Sequence, residues 1–146
     1  MIWKPRATVA AVVEHDNRFL LVEEKINGKM TLNQPAGHLE PNESLIDAVI
    51  RETREETAWL FHPEALIGIY RWVHPIKGET YIRYTFSGSV SDHRPEQPLD
   101  TDISQALWLS IDEIKARQAD LRSTLVMDCF NDYLAGHRFP LTILRN

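Results

Sequence analysis

The order of strand and helix signals predicts an α/β domain in which a mixed β-sheet carries helices on both sides. Two observations lead there. Runs of β-branched and aromatic residues occur both before and after one strongly polar amphipathic stretch, and two shorter helical patterns close the chain. A length of 146 residues with 43% hydrophobic content suits one core, so a single domain over residues 1–146 is expected.

In chain order, the apolar run Ala7 to Val13 reads as a strand. It turns at Asp16-Asn17 into a second strand, Arg18 to Glu24, which makes a hairpin. Asn27-Gly28 marks a loop before a short strand from Met30 to Asn33. In the segment Asn33 to Glu40, Pro35 restricts the backbone and Gly37 frees it. Ser44 followed by Asp47 resembles a capping box, so a helix is expected to start near Ser44. Ile46, Val49, Ile50 and Thr53 give that helix an apolar stripe beside an acidic one. Leu45 and Ala48 fall on the acidic side, where the loop Gly37 to Asn42 is expected to fold over them.

Ala65 to His74 and Thr80 to Val90 read as strands joined by Pro75-Ile76-Lys77-Gly78. The polar loop Ser91 to Asp102 follows, of the kind that often carries specificity. A strand at Ala106 to Leu109 leads to a short helix, Ile111 to Arg117, with Ser110 as its N-cap. The last helix is expected from Thr124 to Ala135, with Gly136 ending it.

A net charge of −5 argues against a general nucleic-acid binder, which would show a basic face. A small phosphorylated partner remains compatible, because a bound metal reverses the local field. The lone Cys129 forms no internal disulfide, is expected to pack in the last helix, and fits a reducing compartment. No signal peptide or membrane-spanning run is read, so the expected location is cytoplasmic, as a monomer or homodimer without a membrane partner.

The chemistry concentrates in residues 37–59. At about 100° per residue, Glu52, Glu55 and Glu56 stand at i, i+3 and i+4 on one helix face. Like charges at that spacing cost on the order of a few tenths of a kcal/mol per pair, so the arrangement suits a divalent cation between them. Hard oxygen ligands select Mg²⁺ or Mn²⁺. The alternative is a solvated face with Glu and Arg pairs, but such a face has no need of the Asn33 to Glu40 entry.

Gly37, Glu43, Arg51, Glu52, Glu55 and Glu56 fall at the spacing of the Nudix box, Gly, five residues, Glu, seven residues, Arg-Glu-U-x-Glu-Glu-x-Gly-U. The chain therefore resembles the Nudix hydrolase family, with Thr53 in place of the usual aliphatic residue and Ala58 in place of the usual Gly. A left-handed helix end costs Ala roughly 1 kcal/mol relative to Gly, unless the cap shifts. Outside the box, Val22 to Lys29, Asn33 to Glu40, Leu121-Arg122-Ser123 and Gly136 to Leu141 resemble the NudJ-type phosphatases of that family.

The resemblance implies a Nudix α/β/α sandwich and a metal held by Glu52, Glu55 and Glu56, with the Gly37 carbonyl as a further ligand. Arg51 then holds Glu55 by a charge-assisted hydrogen bond, and equally reads as an ordinary i, i+4 pair. Glu43 favours the helix dipole or reaches an outer metal through water. The general base is Glu55, within the box, or Asp102 in the later loop, with Asp100 beside it; the alternative for both Asp residues is a solvated turn.

Among Tyr70, Trp72, Tyr81, Tyr84 and Trp108, Trp72 is the candidate for stacking on the substrate, since His74 and Pro75 follow it at a strand end. Arg83 reads either as a phosphate contact or as a surface cross-strand pair, and His38 as a phosphate contact or a loop closure. The implied activity is Mg²⁺-dependent hydrolysis of nucleoside di- or triphosphates, or of a thiamine-precursor pyrimidine pyrophosphate, by metal-activated water attack on phosphorus. Two alternatives stand beside it: a pyrophosphatase of ADP-ribose, dinucleoside polyphosphates or nucleotide sugars, and a non-catalytic nucleotide sensor. The retained box carboxylates disfavour the sensor.

Overall fold

A computed structural model describes residues 2–146. Seven strands form one mixed sheet: β1 (Arg6–His15), β2 (Arg18–Ile26), β3 (Lys29–Asn33), β4 (Ala36–His38), β5 (Leu60–Val73), β6 (Thr80–Ser91) and β7 (Ile103–Leu109). Among the described residues three α-helices accompany them: α1 (Leu45–Thr57), α2 (Ile111–Ala116) and α3 (Thr124–Leu134). The main path runs β3-β2-β1-β6-β5, with β4 paired to β1 and β7 to β2. The β1–β6 pair is parallel, with Val9 opposite Tyr84, and the other pairings are antiparallel.

The first two hairpins follow from turn chemistry. Asp16 (φ 51°) and Asn17 (φ 62°) take positive φ, as do Asn27 (φ 50°) and Gly28 (φ 79°). Two such residues in succession make the two-residue turn whose twist matches the flanking strands. Registers His15 opposite Arg18 and Ile26 opposite Lys29 are the result.

Alternation along the strands divides the interior into two cores. Val9, Ala11 and Val13 of β1 and Leu20 of β2 pack with Ala48 and Val49 of α1 on one face. Val12 of β1, with Phe19 and Leu21 of β2, packs on the other with Ile114 of α2 and Val126, Cys129 and Phe130 of α3. The period of two that sends neighbouring side chains to opposite faces thus produces the helix-sheet-helix layering. β1 is central, buried on both faces, and reads as a continuous apolar run for that reason.

Several boundaries differ from expectation. β5 begins at Leu60 rather than Ala65, directly after α1, with Pro63 next to a register shift where its missing N–H is tolerated. β7 begins at Ile103, three residues early, and β4 adds a strand too short to show a period of its own. At Ser44 only half of the capping box forms: its hydroxyl accepts from the Asp47 N–H at 3.0 Å, with no return bond from the shorter Asp side chain among the described residues. Ser110 makes the full box with Glu113. Ile50 is only partly buried, while Ala48, Val49, Thr53, Glu56 and Thr57 are the buried residues of α1. Leu39, from the preceding loop, packs against the same core as Leu45 and Ala48, as expected.

α1 ends on Ala58 in the left-handed conformation (φ 63°, ψ 15°), so Ala occupies the strained position without moving the cap. Its carbonyl accepts from Arg54 Nη1 at 2.9 Å and from the Arg94 N–H at 3.0 Å. Among the described residues no helix is long and apolar enough to cross a membrane.

Candidate active site

The entry to α1 is locked onto the sheet before any catalytic group is placed. β4 pairs with β1 through Thr8 opposite His38, Val9 opposite Gly37 and Ala10 opposite Ala36. Pro35 lends its carbonyl to the Ala11 N–H at 2.9 Å, and the buried Gln34 amide donates to the Ala11 carbonyl at 3.2 Å. Gly37 is thereby pressed against α1. A β-carbon there would be built into the carboxylate of Glu52, which is why this position carries no side chain.

Arg51 organises the acidic side. Its Nε and Nη2 donate to the two oxygens of Glu43 at 2.6 and 3.0 Å. Nη1 donates to Glu52 at 2.8 Å and to Glu55 at 3.2 Å, while Nη2 also reaches the His38 carbonyl at 3.1 Å. One planar fork thus fixes three carboxylates and the loop, far more than an ordinary i, i+4 pair. The same bonds hold the Glu43 carboxyl below its usual range. Glu43 in turn accepts from the Glu40 N–H at 3.1 Å, so it closes the loop at the helix start.

Glu52, Glu55 and Asp100 bring carboxylate oxygens within 4.8 Å of one another. Asp100 is delivered from the loop before β7 by a bond from its N–H to the Glu55 carbonyl at 3.1 Å. Glu56 turns further inward, is 8% exposed, and accepts from the Ala36 N–H at 2.9 Å. Burial raises the Glu52 carboxyl above its ordinary value and pushes Glu56 up to about 9. Three acidic groups at this spacing, with the buried Glu56 carboxyl adding to them, form a donor set that fits a hard divalent cation.

Of these residues Glu52 and Glu56 border a cavity of about 430 Å³ that also takes in Gly37, His38, Trp72, Tyr81, Arg83 and Asp102. Trp72 stands 5.6 Å from Tyr81 and 5.5 Å from His74, ring centre to ring centre, which forms an aromatic rim. The other aromatic candidates serve the structure: Tyr70 donates to Asp132 at 2.7 Å, and Tyr84 and Trp108 pack on the core. His38 lines the cavity, its ring held below the usual pKa by partial burial and by Arg6.

Arg83 is not a surface cross-strand pair. It is 8% exposed, lines the cavity, and donates through Nη1 to Gln34 at 3.1 Å. Parallel pairing with the buried strand β1, which sets Arg83 opposite Thr8, carries it inside. Glu24, Asn33, Arg122 and Ser123 also reach the cavity and were not singled out from sequence. Glu24 accepts from Asn33 at 3.5 Å and from Arg122 at 2.8 Å. The one local signal was two adjacent acidic residues in strand text, which puts one of them on a covered face.

Comparison with known proteins agrees with the box. The NUDIX domain family model matches residues 4–128. Proteins named Phosphatase NudJ from Shigella boydii and Escherichia coli K12 are 41% identical over 143 residues, covering 98% of this chain and 92% of theirs. A solved NUDIX hydrolase from Nitrosomonas europaea is 56% identical, with a TM-score of 0.96, over 98% of this chain and 97% of that one. A MutT NUDIX hydrolase from Burkholderia pseudomallei, 19% identical, shares the fold at a TM-score of 0.72 over 88% of this chain and 98% of that one.

Proposed function

Because the chain belongs to the Nudix hydrolase family, we propose that it is a Mg²⁺-dependent phosphohydrolase of nucleoside di- and triphosphates, or of a thiamine-precursor pyrimidine pyrophosphate. Mn²⁺ is the alternative cation. The observation that carries the reading is the acidic cluster of Glu52, Glu55 and Asp100, whose Glu52 lies against Gly37 and, with Glu56, lines a cavity that also contains Arg83. Identity of 41% to phosphatases over nearly the whole chain supports a phosphate-releasing activity.

Glu52, Glu55 and Glu56, with the Gly37 carbonyl, are the residues we assign to the cation, and Asp100 joins them by its position. When bound, the cation screens the phosphate oxygens and makes attack by water on phosphorus feasible. Arg51 keeps Glu52 and Glu55 in one rotamer each, so the site is ordered before substrate arrives. Glu55, the more exposed of those two, or Asp102 accepts the water's proton. Arg83 and His38 contact phosphate, and Trp72 at the rim stacks on the organic group.

A second reading, hydrolysis of ADP-ribose, dinucleoside polyphosphates or nucleotide sugars, is favoured by an adjoining cavity of about 680 Å³ beyond Trp72, room for a larger organic group. A phosphate-release screen with Mg²⁺ separates the two. Orthophosphate released without added pyrophosphatase from nucleoside di- or triphosphates or the pyrimidine pyrophosphate supports the first. Turnover confined to the larger compounds moves the assignment to the second, and binding without metal-dependent cleavage makes the protein a sensor.

A further inference from the structure

Residues 92–102 form the loop between β6 and β7, and this loop lies across the carbonyl end of α1. A helix leaves its last four carbonyls without partners of its own. The loop brings donors to them. The Gln97 side chain donates through Nε2 to the Arg54 carbonyl at 2.7 Å, and the Asp100 N–H donates to the Glu55 carbonyl at 3.1 Å. The Arg94 N–H donates to the carbonyl of the cap residue Ala58 at 3.0 Å. Arg54 clamps the start of the loop, with Nη1 donating to the Asp92 carbonyl at 2.8 Å and Nη2 to the Asp92 carboxylate at 3.0 Å.

These contacts fix which residue of the loop meets which residue of α1. Glu55 and Asp100 meet twice, by that backbone bond and by carboxylates that lie, with Glu52, within 4.8 Å of one another. A slip of one residue along α1 would carry Asp100 about 100° around the helix axis, out of the cluster. Without a cation the three carboxylates repel one another, which drives the exposed Asp100 away from α1. Two anchors oppose that force. Gln97 holds the loop to α1, and the Lys25 N–H holds the Asp102 carbonyl to β2 at 3.3 Å. Pro95 and Pro98 fix φ on either side of Gln97, so a hold on its side chain passes along a stiff backbone to Asp100.

We propose that Gln97 and Arg54 are positioning residues for the cation, which hold residues 92–102 in register on α1 so that the Asp100 carboxylate completes the oxygen set of Glu52 and Glu55. Neither lines the cavity, and both act through Asp100. Because the loop is ordered before the cation arrives, binding carries no further cost of ordering it. The proposal rests on the metal-dependent reading above and adds to it two side chains on which affinity for the cation depends.

The test uses Mn²⁺ as the probe, titrated into the full chain and followed by loss of the free-ion electron paramagnetic resonance signal. Gln97→Met keeps the side-chain volume and removes the donor, and Gln97 is partly exposed, so folding is not at risk. The variant should weaken Mn²⁺ binding by about tenfold, as for other residues that orient a ligand. In EDTA it should speed hydrogen exchange at the Asp100 amide by about fivefold. Arg54→Met should shift both readouts in the same direction. In an Asp100→Asn background, Gln97→Met should change Mn²⁺ affinity by less than about twofold, because the group it positions is gone. Unchanged Mn²⁺ affinity in Gln97→Met, or an equal loss with and without the Asp100 carboxylate, overturns the inference and leaves Gln97 as a helix cap alone. Failure of the underlying reading looks different: a wild type that binds no Mn²⁺ removes the cation from both, and Gln97-dependent Mn²⁺ binding without turnover of any phosphate compound removes only the phosphohydrolase.

Discussion

Gly37 lies so close to Glu52 that any β-carbon at position 37 would overlap the glutamate carboxylate. The backbone there cannot retreat, because Gly37 is paired with Val9 of the buried central strand. Gly37→Ala must therefore displace Glu52. We expect turnover to fall by roughly 100-fold, as for other misplacements of about 1 Å, and stability by about 1–3 kcal/mol from overpacking. Steady-state kinetics and urea denaturation read the two effects, and near-wild-type turnover would mean that the position of Glu52 is not critical.

Glu52, Glu55 and Asp100 share one cluster, whereas Asp102 borders the cavity outside it. Glu52→Gln and Glu55→Gln should lower turnover by several orders of magnitude with unchanged circular dichroism, and should abolish the rise in melting temperature caused by Mg²⁺. Asp100→Asn should weaken that Mg²⁺ response. Asp102→Asn, if Asp102 is the base, should lower kcat while leaving the response intact, and unchanged kcat would assign the proton to Glu55.

Glu56 gives the metal-free protein a specific pH dependence. Burial, the main cause, pushes its carboxyl from 4.5 up to about 9. The folded state holds this proton more tightly than the unfolded state, so the contribution to stability is complete below the unfolded value and is lost as pH rises through the folded one. Melting temperature in EDTA should accordingly decline from about pH 4.5 to about pH 9 on account of this group, and Glu56→Gln should flatten the decline. Glu52, raised in the same direction, adds to the slope, while the lowered Glu43 acts only in acid. Mg²⁺ affinity should climb with pH over the same range because the cation requires the carboxylate. A pH-independent affinity would remove Glu56 from the ligand set.

Ala58 holds a left-handed conformation while nearly fully buried. The strain of that conformation, about 1–2 kcal/mol, exceeds the roughly 0.8 kcal/mol from burying one methyl. Ala58→Gly is thus expected to stabilise the protein by up to about 1 kcal/mol without changing turnover. A lowered melting temperature would show that the methyl's packing outweighs the strain.

What the sequence by itself determined was local. Asp16-Asn17 and Asn27-Gly28 specify their turns through positive φ, Ser110 and Glu113 cap α2 within four residues, and Glu52, Glu55 and Arg51 face one another because a helix repeats every 3.6 residues. Helices on both sides of a mixed sheet also followed from element order, since each face of the sheet needs cover. Tertiary structure alone decided the rest of the cavity. Arg83 meets Gln34 across 49 positions and Arg122 meets Glu24 across 98, contacts that exist only once the register of β1 with β6 is set and the segment before α3 docks on β3, where the Arg122 N–H donates to the Leu32 carbonyl at 2.8 Å. Whether an arginine in strand text faces solvent or a buried carboxamide is a property of its neighbouring strand, and register couples residues too far apart for any local period to reveal.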